Sequence, residues 1–250
     1  MQTHKQCGLK YNFRYVERLP EPEDADTTAL QFGSYIHQVL EDGVKATTLE
    51  EMVEIAEEVK GTYTISEKYE GKDLRCFENF LSFNKDLGKT VGVELVFKVD
   101  IMKDATVNGI IDRVIQGEDG GYLIIDYKTS KRQKTKVDLY QDSQLKGYVF
   151  AISKMYNVPV SKIVAAHYYP LTNTFTHVRY SQPQINAHVK KVIDEIWKIR
   201  KKKKEDFKPS RNEFCNWCAY KSICPEYNDG KTCKANKDLL LELKASKKKK

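Results

Sequence analysis

Apolar positions along this chain recur with two periods, and the change from one to the other marks out its elements. Over residues 91–101 they fall on every second position: Val91, Val93, Leu95, Phe97, Val99 and Ile101 alternate with Gly92, Glu94, Val96, Lys98 and Asp100. A period of two predicts a strand with one buried face. Residues 109–115 and 122–129 follow, apolar and rich in β-branched residues, with the turn-forming stretch 116–121 between them. Together these predict a three-stranded meander. Residues 163–169 and 175–180 predict two further strands, joined by a turn at 170–174.

Elsewhere the period is helical. A helix is expected from Thr27 or Thr28 to about residue 45, with Leu30, Gly33, His37, Leu40 and Val44 as its buried stripe. Others are expected over 49–60, 74–87, 139–156 and 183–204, the last apolar at Ile185, Val189, Val192, Ile193 and Ile196. Residues 5–16, aromatic and basic, read as a short helix or an extended arm. The order is helices, three strands, a helix, two strands and a helix. It predicts an α/β fold with a central mixed sheet covered by helices on both faces.

Two of the predicted strands carry an acid in their apolar middle, Asp112 and Asp126, and Lys128 follows two places after the second. Burying a lone carboxylate costs several kcal/mol unless something compensates it. A register symmetric about Asp119 sets Asp112 opposite Asp126 with Cβ atoms ~5 Å apart, near enough to share one cation. Oxygen ligands of this kind suit Mg²⁺ or Mn²⁺, and a metal-bound water beside an ammonium group is a hydrolytic arrangement. The competing reading pairs Asp112 with Arg113 and Asp126 with Lys128. Side-chain alternation speaks against the first pairing, because it sends Arg113 to the opposite face. On the helical stripe, His37 alone reads as a satisfied core residue, and only a nearby metal would change that. Glu94 could supply another carboxylate, but the alternation favours a solvent-facing acid. Gln141, Gln144 and Tyr148 share one helix face.

Composition narrows the class. Of 250 residues 40% are hydrophobic and 11% aromatic, enough for a sizeable core. No run approaches the ~18 apolar residues of a membrane span, and no leader pattern opens the chain. A soluble protein without membrane partners is expected, in the cytoplasm or, for a viral source, the host-cell cytoplasm. The net charge of +7 gathers at Lys190–Lys191, at residues 200–204 and at residues 247–250. Such clusters fit a polyanion partner or a solvated tail.

Six cysteines stand at 7, 76, 215, 218, 224 and 233. Cys76 reads as a buried thiol. Cys215, Cys218 and Cys224 have the spacing C-x2-C-x5-C, and both zinc and iron–sulfur centres use such loops. With Cys233 as fourth ligand a zinc site closes within one short segment. With Cys7 instead, a cluster ties the two ends of the chain together. Loop-closure entropy tilts the balance toward local zinc.

Several motifs then agree. Gly33-Ser-Tyr-Ile-His37, Gly109-Ile-Ile-Asp-Arg113, Ile125-Asp-Tyr-Lys128 and Gln144-Leu-Lys-Gly-Tyr148 resemble the PD-(D/E)XK nuclease superfamily, in its RecB-like branch with CRISPR-associated adaptation nucleases and AddB-type nuclease domains. Cys7-Gly-Leu-Lys-Tyr11 with Cys215, Cys218 and Cys224 resembles the iron–sulfur members of that branch, although Gly8 replaces their usual proline. The resemblance implies a restriction-endonuclease-like αβββαβ core with extra N-terminal helices and a C-terminal cysteine-ligated cluster region. It implies a single nuclease domain over 1–250, with a catalytic core at 27–181, a helical insertion at 46–90, cluster-binding ends at 1–20 and 205–235, and a basic tail at 236–250. It also reverses the zinc preference, toward a 4Fe-4S cluster on Cys7, Cys215, Cys218 and Cys224.

By the same resemblance Asp112, Asp126, His37 and the Tyr127 carbonyl would hold Mg²⁺ or Mn²⁺. Lys128, Gln144 and Tyr148 would complete the catalytic set with the two acids. Lys131, Arg132, Lys134, Lys201 and Lys202 would meet phosphates of DNA that is single-stranded or has single-stranded ends. The implied activity is a metal-dependent DNA exonuclease in recombination, repair or degradation, with a helicase or recombination partner. The rival functions are an idle nuclease-like DNA-binding module, which usually loses one member of the acid–acid–lysine set, and a zinc-ribbon interaction protein.

Overall fold

The computed structural model describes residues 2–22, 28–85, 87–227 and 234–246. Cys233 and the terminal lysines 247–250 lie outside them. In chain order the elements are α1 Gln2–Gln6, α2 Gly8–Tyr11, α3 Thr28–Asp42, α4 Leu49–Lys60, α5 Lys72–Asn84, β1 Lys89–Met102, β2 Ala105–Gln116, β3 Tyr122–Tyr127, α6 Lys136–Gln141, α7 Ser143–Met155, β4 Ile163–Tyr169, β5 Thr174–Val178, α8 Gln182–Arg200 and α9 Lys234–Ser246. They form two compact units, residues 28–193 and residues 1–27 with 194–250. No described helix is long and apolar enough to cross a membrane.

In unit 28–193 five strands make one sheet in the order β1-β2-β3-β4-β5, with β3 and β4 parallel and the other pairs antiparallel. This is the mixed sheet of the αβββαβ order. One core joins Ile111, Val114, Ile124 and Ala165 of the sheet to Leu145, Val149 and Ile152 of α7. A second joins Ile115, Ile125, Tyr127 and Tyr168 to α3, α4 and α5. Helices therefore cover both faces, as strands with so few polar positions require.

Three expectations shift in detail. The buried face of α3 is Phe32, Tyr35, Ile36, Val39 and Leu40, while Leu30 is 67% exposed. The apolar side of this helix is rotated from the expected stripe, which leaves His37 at its edge. The single helix expected over 139–156 is two, because Asp142 takes an extended conformation and caps α7 by accepting the N–H groups of Gln144 and Leu145. Helix α8 ends at Arg200, so Lys201 and Lys202 lie beyond it.

The other unit has a small core of Phe13, Leu19, Tyr220 and Ile223. Hydrogen bonds pin the first helices to residues 208–212: the Leu9 backbone N–H donates to the Lys208 carbonyl at 3.0 Å, and the Asn212 side-chain Nδ2 to the Gln6 carbonyl at 3.1 Å. At Gly8 a Cβ would fall 2.9 Å from the Lys208 carbonyl oxygen, so only glycine permits this approach.

Candidate active site

The site grows out of the strand register. Arg113 pairs with Ile125 and Val114 with Ile124, which places Asp112 opposite Asp126. Asp126 in turn pairs with His167 on β4. Across β1, Val93 pairs with Arg113 and Leu95 with Ile111, so Glu94 stands opposite Asp112. One level of the sheet thus carries Glu94, Asp112, Asp126 and His167 on four successive strands.

Regular alternation breaks at this level. Glu94 has φ 44°, in the left-handed region, and Ile111 and Val114 face the same core although three residues apart. That irregularity overturns the solvent-facing reading of Glu94. Glu94, His37 and Asp112 bring ligand atoms within 4.8 Å of one another, the group of three metal-binding side chains that the described residues contain. Asp112 Oδ2 stands 3.6 Å from His37 Nδ1 and accepts the Tyr127 backbone N–H at 2.6 Å. Arg113 points elsewhere, donating to Thr90 Oγ1 at 2.8 Å and lying over Phe80.

Asp126 is buried, and Lys128 forms an ion pair with its Oδ2. Lys128 Nζ also lies 3.5 Å from Gln144 Oε1, and Gln144 Nε2 donates to the Tyr148 hydroxyl at 2.7 Å. Asp126, Lys128, Gln144 and Tyr148 are thus linked in one chain of contacts. Asp126 itself stays outside the three-residue group.

Burial raises the carboxyls of Asp112 and Asp126 above the ordinary carboxylate range; the Tyr127 N–H and Lys128 oppose this at Asp112, and Lys128 does so at Asp126. Glu94 is raised by burial and by Asp112. Burial also lowers His37, keeping its imidazole neutral and able to ligate. A divalent cation is the charge that would offset three acids crowded around one neutral imidazole.

Of the basic residues expected at DNA, Lys131 and Arg132 are exposed in the loop after β3. Lys134 is engaged, its Nζ 2.5 Å from Asp142 Oδ2. In the other unit Lys201 is exposed, and Lys202 Nζ lies 5.4 Å from the centre of the Phe207 ring. That unit also brings Cys7, Cys215, Cys218 and Cys224 to the wall of one cavity of about 40 Å³. Burial raises the thiols of Cys218 and Cys224, and the neighbouring cysteines add to this.

Sequence reasoning set Glu94 aside as solvent-facing, and it missed His167 and Asp142. His167 carried the same signal as the two acids, an ionisable side chain inside an apolar strand run.

A model of the PD-(D/E)XK nuclease superfamily matches residues 1–225. The chain belongs to that superfamily. Among curated proteins, a subunit of the ATP-dependent helicase/deoxyribonuclease of Streptococcus uberis is 29% identical over 160 residues, 58% of this chain. The chain spans only 15% of that relative's length. A solved structure from Eubacterium rectale, described as a candidate exonuclease, matches 91% of this chain and 82% of its own with a TM-score of 0.52 and 15% identity. At that identity the likeness shows the fold, which is the restriction-endonuclease-like arrangement of PD-(D/E)XK nucleases.

Proposed function

We infer that this PD-(D/E)XK nuclease is a Mg²⁺- or Mn²⁺-dependent exonuclease that hydrolyses the phosphodiester bonds of DNA. The observation that carries the reading is the convergence of Glu94, His37 and Asp112 beside the Asp126–Lys128 pair. His37, Glu94, Asp112, Asp126 and the Tyr127 carbonyl would hold the cation, which supplies an acidified water and stabilises charge on the phosphate. Lys128 would orient that water or neutralise the pentavalent phosphorane. Gln144 and Tyr148 would position Lys128 or the substrate, and Lys131 and Arg132 would meet phosphates.

For the cysteine unit the reading is a 4Fe-4S cluster on Cys7, Cys215, Cys218 and Cys224. A tetrahedral zinc site with Zn–S of ~2.3 Å brings its sulfurs to ~3.8 Å from one another. Among the described residues no three cysteine sulfurs lie within 4.8 Å of one another. What supports the cluster is that thiols from both ends of the chain line one cavity, as the ligands of such a centre would. The Streptococcus relative's name supports a helicase partner for this chain, or a place beside one in a longer protein.

End-labelled single- and double-stranded DNA incubated anaerobically with the protein, with Mn²⁺, Mg²⁺ or chelator, tests the activity. Stepwise shortening from an end, dependent on metal and absent in Asp112→Asn, is expected. Metal-independent or absent cleavage would refute it.

A further inference from the structure

Lys128 has two demands on it. It forms the ion pair with Asp126 Oδ2, yet in the proposed reaction the same ammonium serves the water or the phosphate. If it turns to substrate, a buried carboxylate oxygen loses its compensating charge, at a cost that burial makes large. The structure holds a second donor next to that oxygen. His167, fully buried on β4, places Nε2 3.4 Å from Asp126 Oδ2 and 3.8 Å from Asp142 Oδ2. Among the described residues neither His167 Nε2 nor Asp126 Oδ2 has a hydrogen-bond partner of good geometry.

Nε2 faces two carboxylates, which when ionised only accept, so the ring hydrogen is assigned to Nε2. The Tyr169 hydroxyl, which accepts the Lys134 backbone N–H at 2.8 Å, can then donate its hydrogen to Nδ1 at 3.4 Å. Asp142 joins this to the rest of the site. Its Oδ1 caps α7 through Gln144 N–H at 2.8 Å and Leu145 N–H at 3.0 Å, and α7 carries Gln144 and Tyr148.

We propose that His167 is a positioning residue: its Nε2–H holds Asp126 Oδ2 when Lys128 turns to substrate, and ties that carboxylate to the cap of the helix bearing Gln144 and Tyr148. The role rests on the metal-dependent nuclease function proposed for the same site. Partners that orient a metal-binding carboxylate are worth ~10–100-fold in metal affinity.

The test uses His167→Gln, which keeps an N–H near the position of Nε2, beside His167→Asn, which is polar but too short, and His167→Leu. Mn²⁺ affinity is measured by calorimetry without DNA, and cleavage is resolved into kcat and KM. The Asn and Leu variants should bind Mn²⁺ ~10-fold or more weakly and lose kcat with little change in KM for DNA, while Gln restores both. Equal Mn²⁺ affinity in wild type and Leu, or in Gln and Asn if Leu fails to fold, would overturn the role. A wild type that binds Mn²⁺ and cleaves separates that failure from failure of the nuclease function itself, in which wild type does neither.

Discussion

The two units of this chain are built on opposite principles. Residues 28–193 hold 21 basic and 21 acidic residues, so the whole net charge of +7 falls in residues 1–27 and 194–250. The neutral unit has two extensive cores and sets Glu94, Asp112, Asp126 and His167 beside them in a row across four strands. The basic unit has a core of four buried residues beside four cysteines around a cavity. In the first, packing holds the chemistry in place. In the second, the centre proposed at the cysteines would supply what packing does not, as in other scaffolds with small cores.

Breaking each unit separately should expose the contrast. The largest effect is expected in the neutral unit: Asp112→Asn or Lys128→Ala should lower cleavage by about 10²–10³-fold or more with circular dichroism near wild type, Lys128→Ala also melting lower because Asp126 loses its paired charge. Next comes Cys215→Ser, which should abolish absorbance near ~400 nm and destabilise the basic unit by several kcal/mol, read as rapid proteolysis within 1–27 and 194–250. Unchanged iron content and protease resistance would contradict it. The same variant should leave hydrogen exchange in β2 and β3 unaltered.

A smaller effect separates the row of acids from a structural ion-pair cluster. An acid raised in the folded state stabilises the fold below the ordinary carboxylate range near ~4 and loses that contribution as pH rises through its raised value. Without divalent metal, Asp126→Asn should therefore gain on wild type with rising pH, by roughly 1–2 kcal/mol at pH 8. Mn²⁺ should reverse the order. A variant less stable than wild type at every pH would show that the buried acid is satisfied without a cation. The smallest effect concerns charge: DNA affinity should fall steeply with salt, and Lys201→Ala should reduce the log–log slope by about 1 if that lysine meets a phosphate.

Much of this was legible in the residues. The two acids in apolar strand runs and the mixed sheet follow from period and turn chemistry, and the register assumed symmetric about Asp119 is the one the strands take. Glu94 did not, because the alternation rule assumes regular backbone and fails where a residue turns to positive φ. The break at Asp142 was hidden because the apolar period continues across it from Leu139 to Leu145, both fully buried. His167 was hidden for another reason: its partners, Asp126 and Asp142, come from a neighbouring strand and a helix cap that only the folded sheet brings near.

Titration of Mn²⁺ into the wild type and Glu94→Gln, followed by calorimetry without DNA, reaches the centre of this account. Saturable binding in the wild type, weakened about tenfold or more by a substitution that keeps the shape of Glu94, is the predicted result. Equal binding by the two proteins would mean that the strand register gathers these acids without holding a cation between them.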